Sequence, residues 1–192
     1  MKIHAPTALT LVELLVATAI IGIVLIGVVS VDYAIRQSEQ TASHSTLVSM
    51  RTSMAMSRIT KDAALAAGDL SNPGIYTYES ALPLRRTLCV RQDVNDPNIY
   101  TDDTWICSTQ GTDTDLYRCT ETAPAVDPCQ ASNPARELLL PKIVLLDFND
   151  PLADHYIEVT LTYRYDNSVP ENPITNPEEI LTTRIIPSGQ SW

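Results

Sequence analysis

From Leu9 to Val31 the sequence reads Leu-Thr-Leu-Val-Glu-Leu-Leu-Val-Ala-Thr-Ala-Ile-Ile-Gly-Ile-Val-Leu-Ile-Gly-Val-Val-Ser-Val, with one charged residue, Glu13. As an α-helix rising about 1.5 Å per residue this run is roughly 34 Å long, enough to cross a hydrocarbon layer of about 30 Å. Leu14, Leu15, Ile20, Ile21, Ile23, Leu25 and Ile26 are its candidate membrane-spanning side chains. An ionisable group at the centre of such a helix costs about 2.5 to 3.5 kcal/mol on insertion scales. Glu13 therefore requires a partner and a purpose.

The rest of the chain is of a different kind. Of 192 residues, those from Asp69 to Trp192 are enough for one globular head, and they carry 19 acidic against 8 basic side chains. An acidic head repels phosphate backbones, which argues against direct nucleic-acid binding. The whole chain has a formal net charge of −10. Its four cysteines, Cys89, Cys107, Cys119 and Cys129, all follow the apolar run. An even number confined to one side of a membrane segment implies an oxidising compartment and disulfides.

The leader Met1–Ala8 is short and has one firm positive charge, Lys2, which favours a cytoplasmic N-terminus. A secretory signal is cut after its apolar region, whereas here the small residue Ala8 precedes it, so cleavage there leaves the apolar helix in place as an anchor. Ala8 followed by Leu9-Thr10-Leu11-Val12-Glu13-Leu14-Leu15-Val16-Ala17 resembles the leader junction of type IV pilins and type II secretion pseudopilins. The departures are Ala8 where that family usually has Gly and Leu9 where it usually has Phe. The resemblance implies cleavage after Ala8 and methylation of the Leu9 amine by a prepilin peptidase. It also implies that Glu13 acts in assembly, meeting the Leu9 amine of a neighbouring subunit.

No Pro or Gly interrupts Asp32–Ala67, so the helix is expected to continue to Gly68. Val48, Ala55, Ile59, Ala63 and Ala66, widened by Leu47, Met50 and Met54, form the stripe expected to face the head. The stretch Met56–Gly68, with Arg58, Lys61-Asp62 and Ala67-Gly68, is similar to a segment of PilW-like minor pilins, and GspJ-type pseudopilins are the next nearest. Four parts are therefore expected: leader 1–8, spanning helix 9–31, its continuation 32–68 and a β-rich head 69–192.

In the head, Thr87–Arg91, Trp105–Cys107, Leu116–Cys119, Lys142–Phe148, Tyr156–Tyr165 and Ile180–Ile186 are candidate strands. Tyr156–Tyr165 alternates most clearly, and Ile180–Ile186 is its expected partner. The expected fold class is α+β, a type IV pilin-like fold with the long helix laid on an antiparallel sheet. Asp93–Arg136, holding three of the cysteines, reads as a stapled excursion from that sheet, and Asp166–Glu179 as a second long loop. A hairpin turned at Gln110-Gly111 would bring Cys107 to Cys119 and leave Cys89 for Cys129, one of three possible connectivities.

No catalytic constellation is visible, since His4, His44 and His155 are scattered and no phosphate loop or Cys-x-x-Cys accompanies them. No cofactor is expected. Asp96, Asp102, Asp103, Asp113 and Asp115 are dense enough to be weak calcium candidates, but their spacing is not that of an EF-hand, and a solvated acidic loop is the simpler reading. Trp105 and the head tyrosines read as core. The resemblance implies a minor pilin-like structural subunit, not an enzyme, primed at the inner membrane with its N-terminus in the cytoplasm and later exposed in a pilus at the cell surface. Its partners would be other pilin subunits along the N-terminal helix, the prepilin peptidase and an inner-membrane assembly platform. A type II secretion pseudopilin and an adhesin-like subunit contacting surfaces through Asp93–Arg136 are the alternative expectations.

Overall fold

The computed structural model describes residues 10–69, 71–81, 84–92, 103–124, 128–130, 132–149 and 156–190. One long helix, α1 (Leu11–Ala64), precedes the strands β1 (Ala67–Gly68), β2 (Ile75–Ala81), β3 (Leu84–Gln92), β4 (Thr104–Gln110), β5 (Leu116–Glu121), β6 (Glu137–Leu140), β7 (Leu145–Phe148), β8 (Ile157–Arg164), β9 (Glu178–Ile185) and β10 (Gly189–Gln190). The chain divides into two compact units between Ala42 and Ser43, later along the helix than the Val31 boundary read from hydropathy.

In the first unit every large apolar side chain from Leu11 to Ile35 is more than half exposed. The hydroxyls in this run are satisfied locally: Thr18 donates to the Leu15 carbonyl at 2.9 Å and Ser30 to the Ile26 carbonyl at 2.8 Å. An apolar helix with internally bonded hydroxyls suits a medium without water. By length and hydropathy α1 is able to cross a membrane.

In the second unit α1 buries Val48, Thr52, Ala55, Met56, Ile59, Asp62 and Ala63. These positions recur every three or four residues and so lie on one helix face. Two antiparallel sheets share the core with that face. The larger runs in the order β2-β3-β4-β5-β6 and the smaller in the order β7-β8-β9. Leu88, Val90, Ile106 and Leu116 from the first and Leu146, Ile157, Val159 and Leu161 from the second belong to one cluster with Ile59. The expected pairing of the last two long strands is present, with Leu161 opposite Leu181.

Several expectations are corrected. The head contains two antiparallel sheets rather than one, and β2 and β6 were not anticipated. Asp93–Arg136 is no excursion, because β4 and β5 are interior strands of the larger sheet. Met50 and Met54 are 62% and 63% exposed, while Thr52, Met56 and Asp62 take the buried positions, so the packed face is rotated from the one read off hydropathy. The helix ends at Ala64 instead of Gly68. Gly68 pairs in parallel with Gln190, and the Ala64 carbonyl accepts the Ser188 hydroxyl at 3.2 Å, so the C-terminal segment caps the helix from outside. The Lys142–Phe148 strand starts only at Leu145, since Lys142 has a positive φ of 52° and belongs to a turn.

Ile59 is 1% exposed at the centre of the shared core. Ile59→Ala is expected to destabilise the head by about 2 to 5 kcal/mol, and Met54→Ala by less than about 0.5 kcal/mol, in urea unfolding followed by circular dichroism.

Candidate functional site

Thr10 and Glu13 form the start of the long helix. The Glu13 carboxylate Oε2 accepts the Thr10 N–H and the Thr10 hydroxyl, each at 2.9 Å, and the Glu13 N–H points back to Thr10 Oγ1 at 3.3 Å. This is a capping box, in which Thr-x-x-Glu satisfies helix donors that have no partner in the first turn. The Thr-x-x-Glu spacing is present in the sequence, and the structure adds a capping role to the charge of Glu13. Both bonds to the side chain fall on Oε2, which leaves Oε1 able to accept from another group. Leu14, Leu15, Ile20, Ile21, Ile23, Leu25 and Ile26 follow this carboxylate along the helix and are 57–71% exposed. Ala8 and Leu9 lie outside the described residues.

The acidic candidates are used structurally. Asp102 and Asp96 lie outside the described residues. Asp103 is buried beside Arg91, Oδ2 lying 3.3 Å from Nε, and Arg91 also donates to the carbonyls of Ala67 at 3.0 Å and Asn72 at 2.6 Å. Arg91 thus ties the chain leaving α1 to the sheet, a role that no sequence motif announces. Asp113 and Asp115 sit at the other end of β4, in the β4–β5 turn. The Tyr117 hydroxyl donates to Asp113 at 2.6 Å and to Asp115 at 3.2 Å, while Asp115 accepts the Lys142 N–H at 2.8 Å. Asp103 is therefore not brought together with Asp113 and Asp115, and no group of three metal-ligating side chains occurs among the described residues. His44 stacks on Tyr165 at 3.8 Å between centroids, and His155 lies outside the described residues.

All four cysteines are paired, but as Cys89–Cys107 and Cys119–Cys129. The expected hairpin exists and places Cys107 opposite Cys119, but Cys107 is also opposite Cys89 on β3. A strand residue directs both its N–H and its C=O to one neighbouring strand. Cys89 and Cys107 have Cα atoms only 4.0 Å apart, the spacing of a non-hydrogen-bonded pair, so the Cys107 peptide groups serve β5. The closer neighbour takes the sulfur. Together with Trp105 the cysteines form a second core on the sheet face turned away from the helix, with Tyr76, Tyr78 and Tyr117 packed against it.

The helix is joined to the larger sheet by charge. Asp62 accepts Arg118 Nε at 2.6 Å and Nη2 at 3.2 Å, and both side chains are nearly buried. Hydrogen bonding to Asp62 raises the Arg118 pKa further.

Comparison of the chain with family models, curated proteins and solved structures finds no match. The arrangement offers a capped apolar helix and a disulfide-stapled head.

Removing one partner of a buried pair leaves an uncompensated charge, so Arg118→Met is expected to cost about 3 to 5 kcal/mol, much of it recovered in Arg118→Met/Asp62→Leu. Denaturation midpoints of the three variants check this. The Tyr117 phenol is pushed up to about 12, first by burial and then by its bonds to Asp113 and Asp115. The folded chain thus favours the neutral phenol, and this contribution is complete below about pH 10 and is lost as pH rises through about 12. Ultraviolet titration of the wild type minus Tyr117→Phe is expected to show one phenol ionising near 12.

Proposed function

We propose that this chain is a minor pilin-like structural subunit, held by its N-terminal helix in the inner membrane and then in a pilus filament. The observation that carries the reading is Leu11–Val31 of α1, a helical stretch bare of packing whose large apolar side chains are more than half exposed and whose one carboxylate is Glu13. Exposed apolar area stabilises association by about 25 cal/mol per Å² removed from water, so such a surface is stable only in lipid or against similar helices. The disulfide-stapled head supports an oxidising location, outside the cytoplasm. The junction at Ala8–Leu9 supports processing by a prepilin peptidase, and assembly on an inner-membrane platform follows from the same resemblance. A pseudopilin of type II secretion uses the same features, and the observations do not favour it over the pilus.

The cap at Glu13 refines how assembly would work. Thr10 lies beyond the proposed cut, so processing leaves the capping box intact. Within one subunit the carboxylate is held at the helix N-terminus, where the helix dipole also favours it. Oε1 remains for the Leu9 amine of the next subunit when the helices pack. Desolvation offsets much of that attraction, so the pair contributes register more than affinity.

The mature protein is expected to begin at Leu9 and to remain in the membrane fraction; a start near Val31 with release to the soluble fraction would sink the proposal. Glu13→Val and Glu13→Gln separate charge from capping, because Gln still caps at this position. Both variants should insert normally and both should be depleted from purified filaments, as quantified by mass spectrometry. Full incorporation of Glu13→Gln would mean that the carboxylate acts only as a cap.

A further inference from the structure

The outer side of α1 in the head is basic on an otherwise acidic protein. Arg51, Met54, Arg58, Lys61 and Leu65 succeed one another at steps of three and four residues, the spacing of one helix face, and all are exposed. Met54 is 63% and Leu65 54% exposed. Arg51 donates to the Tyr163 hydroxyl at 3.2 Å, but among the described residues no carboxylate pairs with Arg58 or Lys61. Asp62, the one acid between Ser43 and Leu65, is turned inward to Arg118. Beside this stripe lies β9, the outer strand of its sheet, and an open trough of about 530 Å³ runs between helix and strand, lined by Ser57, Thr60, Lys61, Leu181 and Thr183 among others. It continues into a depression of about 430 Å³ beside Met54 and Arg58.

The loop Asp166–Pro177 has the opposite character. Val169 and Ile174 are 47% and 49% exposed, and they flank the exposed Glu171. The loop is held from within by Asn176, whose amide donates to the carbonyls of Asp166, Val169 and Pro170 at 2.9, 2.9 and 3.0 Å and whose Oδ1 accepts the Asp166 N–H at 2.7 Å. Its base is clamped by Arg164 and Glu178 at 2.5 Å. A loop ordered in advance loses little entropy on docking. It leans on α1 at His44, whose ring faces the Thr175 carbonyl at 3.4 Å. The trough centres near Ser57, roughly 20 Å further along the helix axis, beyond reach of a loop braced at both ends. The loop therefore does not fill the trough of its own chain.

We infer that the Asp166–Pro177 loop of one copy docks into the α1/β9 trough of a second copy, Glu171 facing Arg58 and Lys61 while Val169 and Ile174 cover Met54 and Leu181. The inference rests on the filament reading for bringing such helices side by side, and the choice of a second copy as partner rests on the complementarity of these two surfaces of one chain. Charge complementarity supplies the selectivity: the head is acidic from Asp69 onward, and the stripe is a place where an acidic knob meets cations with no carboxylate partner among the described residues. Two different surfaces meet, so the contact is heterologous and generates an open array rather than a closed dimer. Exposed ion pairs are weak and screened by salt, so each contact is modest and gains from the high local concentration of copies anchored in one membrane.

The test uses the full-length chain in membranes, with a photo-crosslinking phenylalanine at Ile174 and, separately, at Ile20. The Ile174 probe is expected to link to a second copy within Arg51–Leu65, as mapped by mass spectrometry. Arg58→Glu/Lys61→Glu and Glu171→Lys should each reduce that link at least tenfold, and the combination of all three should restore it, with the Ile20 link unchanged throughout. Disulfide mapping of each variant verifies the fold. An Ile174 link to a different protein, an Ile174 link insensitive to charge reversal, or no Ile174 link while Ile20 still joins copies would overturn the docking contact and leave the filament reading standing. Loss of the Ile20 link together with an unprocessed N-terminus would overturn that reading instead.

Discussion

The seating of the long helix on the larger sheet depends on the nearly buried ion pair of Asp62 and Arg118. Asp62 lies in the last turns of α1 and Arg118 on an interior strand of the larger sheet, and their two hydrogen bonds fix rotation and height of the helix at once. Apolar packing alone is non-directional and tolerates a helix turned by part of a step. The pair does not. Neighbouring residues follow from it: with Asp62 turned inward, Ile59, Ala55 and Val48 face the core on the same side, and Met50, Met54 and Lys61 are carried outward. Glu137 approaches Arg118 at 3.6 Å from β6, so the guanidinium also draws in an edge strand.

The larger sheet is covered on both faces, which explains how a head of this size remains ordered. Leu88, Val90 and Ile106 face the helix, while Cys89, Trp105 and Cys107 alternate with them and face a second cluster. The second cluster is too small to hold by burial alone, and each disulfide contributes about 2 to 4 kcal/mol by restricting the unfolded chain. Arg91 adds a polar anchor at the margin of that cluster, binding the carbonyls of the segment that leaves the helix. The loops are organised in the same way. Asn176 gathers three carbonyls and Asp115 receives the turn after β6, so side-chain amides and carboxylates supply the bonds that regular structure does not.

The two ends of α1 therefore meet different demands with one continuous backbone. Its first part has a nearly uniform apolar surface and meets its polar needs through Thr10, Glu13 and local hydroxyl bonds. Its last part is three-sided: an apolar face for the core, one inward carboxylate, and a basic stripe beside an open sheet edge. The first unit carries an apolar helical surface and the second a charged, stapled body, and the helix runs through both without a change of secondary structure.

Elements governed by local pattern were legible in the sequence. The apolar run and its uninterrupted continuation gave the helix, because 3.6-residue periodicity and the absence of Pro and Gly act over neighbouring residues. The alternation of Ile157, Val159, Leu161 and Tyr163 gave β8 and its partner for the same reason. The even cysteines gave disulfides as a class. What the tertiary structure decided depends on residues far apart in the chain. Sheet order placed Cys107 between Cys89 and Cys119, and only the peptide orientation of that strand selected between them. Asp62 and Arg118 are individually unremarkable charges until two elements bring them to 2.6 Å. The strands β4 and β5 were legible only in part, as Trp105–Cys107 and Leu116–Cys119; β4 runs on to Gln110 with both of its faces buried, which removes the alternation a half-exposed strand displays. The helix stop at Ala64 was set by Ser188, from the other end of the chain, a contact that no local signal encodes.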